Sequence, residues 1–217
     1  MTSIGKRQQN KTKRYESIVQ TAEQLFLEKG LERVQMQEIA DFEGVGIATL
    51  FRYFPKKDRL IVAVAIYNLE KHIHSFTEIV NKSTTAFERL QEIFDLLTIG
   101  DDDTLNQSAT FREAFESYAS FAVQELDTMS DYIATQKQIA DLVMIIIADG
   151  ERDGSLRTDV PLKETIITAI NSYGTFGSNI TLKSPITYLE EDIAPHKQQL
   201  ILKEMILTYV KNDDVSF

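Results

Sequence analysis

The stretch IADFEGVGIATLFRYF, residues Ile39–Phe54, decides the fold of this chain. Two glycines stand two residues apart between two short apolar segments, and the second segment carries Arg52 among aromatic residues. Glycine adopts a left-handed backbone without a Cβ penalty, so Gly44 suits the end of the first segment. A three-residue turn of this kind sets two helices at a steep angle, the helix-turn-helix arrangement. The sequence therefore predicts helices at Met36–Glu43 and Ile47–Tyr53.

The second of these helices is short, and its two faces differ. We expect Leu50 and Phe54 to point inward, which leaves small residues near its start and a cation and a phenol behind them pointing outward. Small side chains permit close approach to a major groove, an arginine can donate to a guanine edge or a phosphate, and a nearby lysine can reach backbone oxygens. The residues expected to face outward are Ile47, Ala48, Thr49, Arg52 and Tyr53. The same shape also occurs as pure architecture in helical proteins.

The rest of the chain is predicted to be helical, and no segment of useful length alternates as a strand would. Apolar spacing predicts a first helix from Lys13 to the stop at Gly30. Pro55 breaks the pattern after the helix-turn-helix. Further helices are predicted at about Lys56–Val80, Thr85–Leu97, Thr104–Val123, Thr128–Asp149, Pro161–Leu182 and Pro195–Lys211. The fold class is all-α.

The net charge of −10 is unevenly distributed along the chain. Residues 1–60 hold 11 Lys+Arg and 8 Asp+Glu, a balance of +3, whereas residues 61–217 hold 12 and 25, a balance of −13. A basic arm precedes the first acidic residue and consists of Lys6, Arg7, Lys11, Lys13 and Arg14. Because distribution rather than total charge governs binding, a nucleic-acid partner for the N-terminal part is compatible with the acidic total. The arm reads equally as a solvated tail or as a phosphate contact.

Other classes of protein find little support in the sequence. No apolar run approaches the roughly 18–20 residues that span a bilayer, and no apolar segment follows the basic N-terminus as in a secretory signal. The 217-residue chain has no cysteine. We therefore expect a cytoplasmic protein with no membrane partner.

Neither a metal nor a cofactor is expected. His72 and His74 lie two apart on one predicted helix and so point to different faces. The segment DGERDG, Asp149–Gly154, imitates half of a calcium loop but has Val160 where the bidentate glutamate would stand. No nucleophile, zinc, phosphate-loop or dinucleotide motif is present, so an enzyme is not predicted.

The segment GLERVQMQEIADFEGVGIATLFRYFPKKDRL, residues 30–60, resembles the helix-turn-helix of the tetracycline-repressor (TetR) family of bacterial transcriptional regulators. The resemblance is strong over about residues 15–61 and rests on Ile39, Ala40, Gly44, Val45, Thr49, Leu50, Tyr53, Phe54, Lys57 and Leu60. It implies an N-terminal three-helix bundle with the helix-turn-helix, residues 1–60. It also implies a larger helical domain for effector binding and dimerisation, residues 61–217.

The resemblance also implies which residues bind double-stranded DNA. Family positions near bases or adjacent phosphates match Gln37, Ile47, Ala48, Thr49 and Arg52. Positions that hold the DNA backbone match Gly46, Tyr53 and Lys57. Gln35 stands where a threonine usually caps the second helix and touches phosphate, Gly46 replaces a frequent serine, and Phe51 a frequent tyrosine. Each departure removes a hydroxyl, so phosphate anchoring is expected to rely more on lysine, tyrosine and the basic arm.

Apolar residues cover about half or more of the circumference of the last predicted helix, which is wider than one core requires. A second apolar surface needs a second partner, and two helices from each of two chains make a four-helix interface. The family resemblance implies the same homodimer. The expected interface residues are Ile170, Gly174, Gly177, Ile201, Met205 and Tyr209. A packed monomeric core remains the alternative for these helices.

The family keeps a small-molecule pocket between the DNA-reading part and the dimer helices. The aromatic and aliphatic candidates for this pocket are Phe94, Phe111, Phe115, Tyr118, Leu142, Ile146, Tyr173 and Phe176. In the family, ligand binding shifts the long helix after the DNA-binding domain, which here starts beside Lys57. The sequence does not name the ligand.

The sequence thus predicts a homodimeric transcription regulator, a repressor that a small molecule releases from a palindromic operator. An alternative is a helical dimerisation or adaptor protein whose helix-turn-helix no longer binds DNA, which the lost hydroxyls keep open. A third reading, an all-helical enzyme with acidic catalysis, has no motif in its favour.

Overall fold

A computed structural model describes residues 3–98, 103–124, 126–183 and 194–212. These ranges are helical almost throughout, as predicted, and contain α1 to α9 in chain order. The helices are α1 Ser3–Lys29, α2 Met36–Glu43, α3 Ile47–Tyr53, α4 Lys57–Val80, α5 Ala86–Leu97, α6 Asp103–Ser120, α7 Met129–Asp153, α8 Leu162–Lys183 and α9 Pro195–Val210. Within the described ranges, no helix has the length and apolar character needed to cross a membrane.

The helix-turn-helix has the predicted boundaries, but the start of α1 was predicted wrongly. The helix begins at Ser3 rather than near Lys13, so the basic arm is helical. Its residues are mostly Lys, Arg and Gln, which favour helix without supplying apolar periodicity. The first buried residue is Ile18, which is why periodicity alone placed the start too late.

The C-terminal end of α7 also lies beyond its predicted position. The helix continues through Gly150 to Asp153, and Gly154 ends it with φ +74°. A Cβ at residue 150 would stand 2.3 Å from the Leu156 side chain, so a glycine is needed there for close packing. The predicted stop was therefore read from the wrong glycine.

The chain forms two compact units that do not follow sequence order. The first unit contains Met1–Glu70 and Phe111–Thr135, and the second contains Lys71–Thr110 and Gln136–Phe217. The functional boundary drawn after residue 60 stays a prediction, since compactness groups residues by packing rather than by role.

The core of the first unit brings α1 to α4 together with parts of α6 and α7. Ile18, Leu25 and Phe26 of α1 are buried beside Leu50 and Phe54. The predicted inward positions of α1 and α3 are therefore confirmed. Burying each of these side chains contributes roughly 1.5–3 kcal/mol, which holds the short α3 on its support.

The core of the second unit is built around α5, α8 and α9. Phe94 and Tyr173 meet edge to face with ring centroids 5.1 Å apart, and the Tyr173 hydroxyl lies 2.6 Å from the Thr98 hydroxyl. Arg89 is buried, donates to the Val80 carbonyl and pairs with Asp149 at 2.8 Å. A buried charge thus has both its partners within this unit.

Candidate nucleic-acid interface

The turn between α2 and α3 has the geometry that its glycine predicts. Gly44 has φ +71°, and its N–H donates to the Asp41 carbonyl at 3.2 Å. The Val45 N–H donates to the Ala40 carbonyl at 2.9 Å. These bonds close the C-terminus of α2 and set the direction in which α3 leaves.

The exposed face of α3 is narrower than the sequence predicts. Ala48 and Arg52 are exposed and Thr49 is half-buried, as a DNA-reading face requires. Ile47 and Tyr53, predicted to face outward, are half-buried and pack against the core. Both lie three residues from the inward Leu50, about 60° around the helix, so they flank the buried side.

The starts of α2 and α3 lack side-chain caps. Gln35 is the N-cap of α2 and makes no capping bond, and Gly46 is the N-cap of α3 with no side chain to offer. The exposed Gln37 amide donates to the Asp41 carboxylate at 2.7 Å. Both N-termini therefore leave backbone N–H groups available to an anion such as a phosphate.

Lys57 opens α4 beside the recognition helix and is tied to the protein itself. Its Nζ donates to the Glu32 carbonyl at 2.8 Å. Burial lowers the pKa of Lys57, although the charges of Asp58 and Glu32 raise it. An ammonium group has three donors, so two remain for a phosphate.

Glu43 fastens α1 to the end of α2. Its carboxylate accepts hydrogen bonds from Ser17 Oγ at 2.7 Å, Thr21 Oγ1 at 2.7 Å and Arg14 at 3.1 Å. Burial raises the pKa of Glu43, but these three hydrogen bonds outweigh it and leave the pKa below its usual range. The carboxylate therefore stays ionised and holds the two helices in one arrangement.

The first half of α1 and the recognition helix enclose an open groove of about 1160 Å³. We call it the basic groove, because every residue that lines it is basic or uncharged. The lining residues are Arg7, Gln8, Asn10, Lys11, Lys13, Arg14, Ser17, Thr49, Arg52 and Tyr53. The sequence shows the basic arm but not this groove. The available signal was the i, i+4, i+7 spacing of Arg7, Lys11 and Arg14, which aligns them on one helix face.

The part of the chain that the structure describes offers no convergent group for a metal. No three carboxylate or imidazole side chains come together there as a metal site needs. The chemistry that this surface supports is the binding of a polyanion, by cations, helix N-termini and a small-residue face.

Comparison with known proteins decides the family. Residues 18–64 match the family model described as bacterial regulatory proteins, tetR family. An HTH-type transcriptional regulator of Staphylococcus aureus (strain USA300) is 28% identical over 130 residues, which cover 53% of this chain and 70% of that protein. The chain belongs to the TetR family.

Solved structures agree with the fold of this TetR-family regulator. A protein from Saccharomonospora viridis, described as a transcriptional regulator and solved in complex with choline, has a TM-score of 0.74 at 15% identity. The match covers 93% of this chain and 99% of that one. The regulator FadR from Bacillus subtilis, solved with stearoyl-CoA, has a TM-score of 0.62 at 18% identity and covers 89% and 98%. At these identities the likeness concerns the fold.

The predicted dimer residues of this TetR-family regulator lie in the second unit. Ile201, Met205 and Tyr209 form a stripe on α9 and are 56%, 64% and 50% exposed. Gly174 and Gly177 of α8 are buried, and Ile170 is half-buried against the core. The α9 stripe is therefore an apolar surface that this chain leaves uncovered.

The eight predicted pocket residues fall in different cores. Phe111 and Phe115 are buried in the first unit, which also contains Tyr118. The remaining candidates belong to the second unit, where three are fully buried and two half-buried: Phe94, Leu142, Ile146, Tyr173 and Phe176. The choice of pocket residues remains a prediction.

Proposed function

We propose that this TetR-family regulator binds a palindromic operator as a homodimer, represses transcription in the cytoplasm, and leaves the operator when a small molecule binds. The observation that carries the proposal is the α3 face. Ala48 and Arg52 are exposed there, and the basic groove lies directly beside them. A small residue followed by a cation on a supported helix suits a major groove.

Roles within the site follow from position. Arg52 is the candidate for base or phosphate recognition, with Ala48 and Thr49 at closest approach to the base edges. The backbone N–H groups at Gly46 and Gln35, together with Lys57, are proposed to hold phosphates. Ile47 and Tyr53, being half-buried, offer one edge of each side chain to DNA.

Dimerisation is proposed through α8 and α9. Ile201, Met205 and Tyr209 recur at i, i+4 and i+8, so they form one continuous stripe along α9. A contiguous exposed apolar surface of this kind marks an interface in soluble proteins. A two-fold interface presents two copies of α3, which implies two inverted half-sites in the operator.

The effector is proposed to act on the first turn of α4. The Tyr118 hydroxyl donates to the Asp58 carboxylate at 2.7 Å, one residue from Lys57. Burial, and then the hydrogen bond to Asp58, raises the pKa of Tyr118 to about 12, so this donor keeps its proton. A shift of α6 would therefore reach α4 within the same unit.

The chemical identity of the effector is open at the level of class. The Saccharomonospora viridis protein was solved with choline and the Bacillus subtilis regulator with stearoyl-CoA, so proteins of this fold bind unlike ligands. For this chain we propose a small molecule in the second unit, near Phe94, Tyr173 and Phe176. Release requires that the ligand favour the conformation that does not bind the operator.

The test is selection of random duplex DNA by the purified full-length protein, followed by a salt titration on the selected sequence. We expect an inverted repeat and an affinity that falls steeply as salt rises. An asymmetric single site would contradict the dimeric reading. Failure to enrich any sequence, both alone and with cell extract added as a source of effector, would favour the adaptor alternative.

A further inference from the structure

The N-terminal half of α1 is a rigid extension beyond the core. Residues 3–17 precede the first buried residue, Ile18, and form about 22 Å of helix. Arg7, Lys11 and Arg14 lie along one face of it and are all exposed. The extension buries nothing of its own, so its conservation of helical form serves what its exposed face meets.

The direction of this extension relative to α3 is set by the first unit's own contacts. Arg14 and Ser17 donate to Glu43 at the end of α2. Tyr15 stacks on Phe54, the residue after α3, with ring centroids 5.0 Å apart. The cationic stripe and the recognition helix are thus held as two walls of one groove.

We infer that the basic groove receives a phosphate backbone of the same duplex that α3 reads, which rests on the DNA binding proposed above. Arg7 and Lys11 supply the cations on the α1 wall and Arg52 supplies one on the α3 wall. A lining without acidic residues, continuous with the proposed base-reading face, is the charge complement of a phosphodiester chain.

The helical form of the arm decides which part of DNA it meets. A helix with its side chains is about 10–12 Å wide, whereas the minor groove of B-DNA is about 6 Å wide. The arm therefore does not enter the minor groove and instead lies along the backbone. Its contacts add affinity and salt dependence but carry no base information.

The experiment compares R7A/K11A with K137A/K163A, which removes two exposed lysines from α7 and α8. Both variants lose two positive charges, and none of the four side chains is in a core. On the selected operator we expect R7A/K11A to reduce the slope of log K against log salt by about 1.8, at about 0.9 per phosphate contact. At 0.1 M salt the same relation gives a loss of about tenfold per contact.

The base preferences of R7A/K11A are expected to match those of the wild type. Equal affinity and equal salt slope for R7A/K11A and the control would overturn the inference while leaving the proposed function intact. Absence of any selected operator for the wild-type protein would instead overturn the proposed function.

A second pair of variants tests the helical placement with every charge retained. Asn10→Pro removes a helix hydrogen bond and disrupts the arm before it, whereas Asn10→Ala preserves the helix. We expect N10P to weaken operator binding about as much as R7A/K11A does, and N10A to retain wild-type affinity within about twofold. Wild-type binding by N10P would show that the arm acts without a fixed position, which overturns the groove inference.

Discussion

Glu43 combines a structural and an electrostatic role in one carboxylate. Its side chain is 6% exposed and accepts from Ser17, Thr21 and Arg14. Glu43→Gln keeps the shape but removes the charge, and we expect a loss of about 1–2 kcal/mol in unfolding free energy at pH 7. Urea unfolding of the variant beside Glu16→Gln, an exposed residue of α1, measures it.

The pH dependence of this penalty follows from the lowered pKa of Glu43. A carboxylate whose pKa is lowered on folding stabilises the protein above its ordinary pKa of 4.5, and this stability is lost as pH falls through the folded value. The difference between wild type and E43Q should therefore be full at pH 7 and shrink below pH 4.5. A constant difference down to pH 3 would contradict the role of the charge.

Gly44 and Gly46 form a matched pair for testing the turn. A Cβ would meet nothing within 4 Å at either position, but only Gly44 has a positive φ. We expect Gly44→Ala to destabilise the protein by about 1 kcal/mol, because alanine is strained there. Gly46→Ala should be neutral or slightly stabilising. Thermal unfolding of both variants separates backbone strain from packing, and equal effects would contradict the left-handed turn.

Arg52 and Lys57 are expected to contribute differently to DNA binding. Arg52→Ala should cost about 1–3 kcal/mol on the operator and relax preference at the bases it meets. Lys57→Ala should weaken all sequences alike and lower the salt slope by about 1. Competition binding with operator and scrambled duplexes measures both, and base-specific loss in K57A would reverse the assignment.

At the scale of helices, the α9 stripe carries its own prediction. Met205→Glu places a charge at the centre of the proposed interface, where burial without a partner costs several kcal/mol. We expect the dimer to weaken about a hundredfold or more while the monomer stays folded. Sedimentation of M205E beside Gln138→Glu, which adds the same charge on the exposed face of α7, measures it. An unchanged dimer would place the interface elsewhere.

The predictability of each helix depended on what its sequence marks. Turn chemistry around Gly44 placed both ends of the helix-turn-helix correctly, since the backbone there permits few residues. Polar helix is invisible to apolar periodicity, so the α1 arm and the basic groove were missed. At the end of α7, two glycines competed, and only the packing of Leu156 against Gly150 identifies which one ends the helix.

At the scale of the molecule, the charge partition supports the proposed division of labour. The N-terminal 60 residues have a balance of +3 within a chain of −10. An acidic remainder disfavours nonspecific attachment to DNA, so binding is concentrated on the surface formed by α1 and α3. Sequence alone could establish this partition because it requires no knowledge of packing.

The grouping of pocket candidates could not be established in the same way. Phe111 and Phe94 are alike in sequence terms, each an aromatic residue on a predicted helix. Phe111 lies 6.4 Å from Phe26 in the first unit, whereas Phe94 contacts Tyr173 in the second. Such assignments depend on contacts between residues far apart in the chain, which periodicity does not encode.

The composition of the first unit affects the order of events on the ribosome. Its core needs Phe111, Phe115 and Tyr132 as well as the helices of the first 70 residues. A nascent chain that ends before residue 111 therefore has an incomplete core and exposed apolar surface. The DNA-reading part cannot mature early and wait for the rest, so a truncated translation product is a substrate for chaperones and proteases rather than an unregulated competitor for the operator.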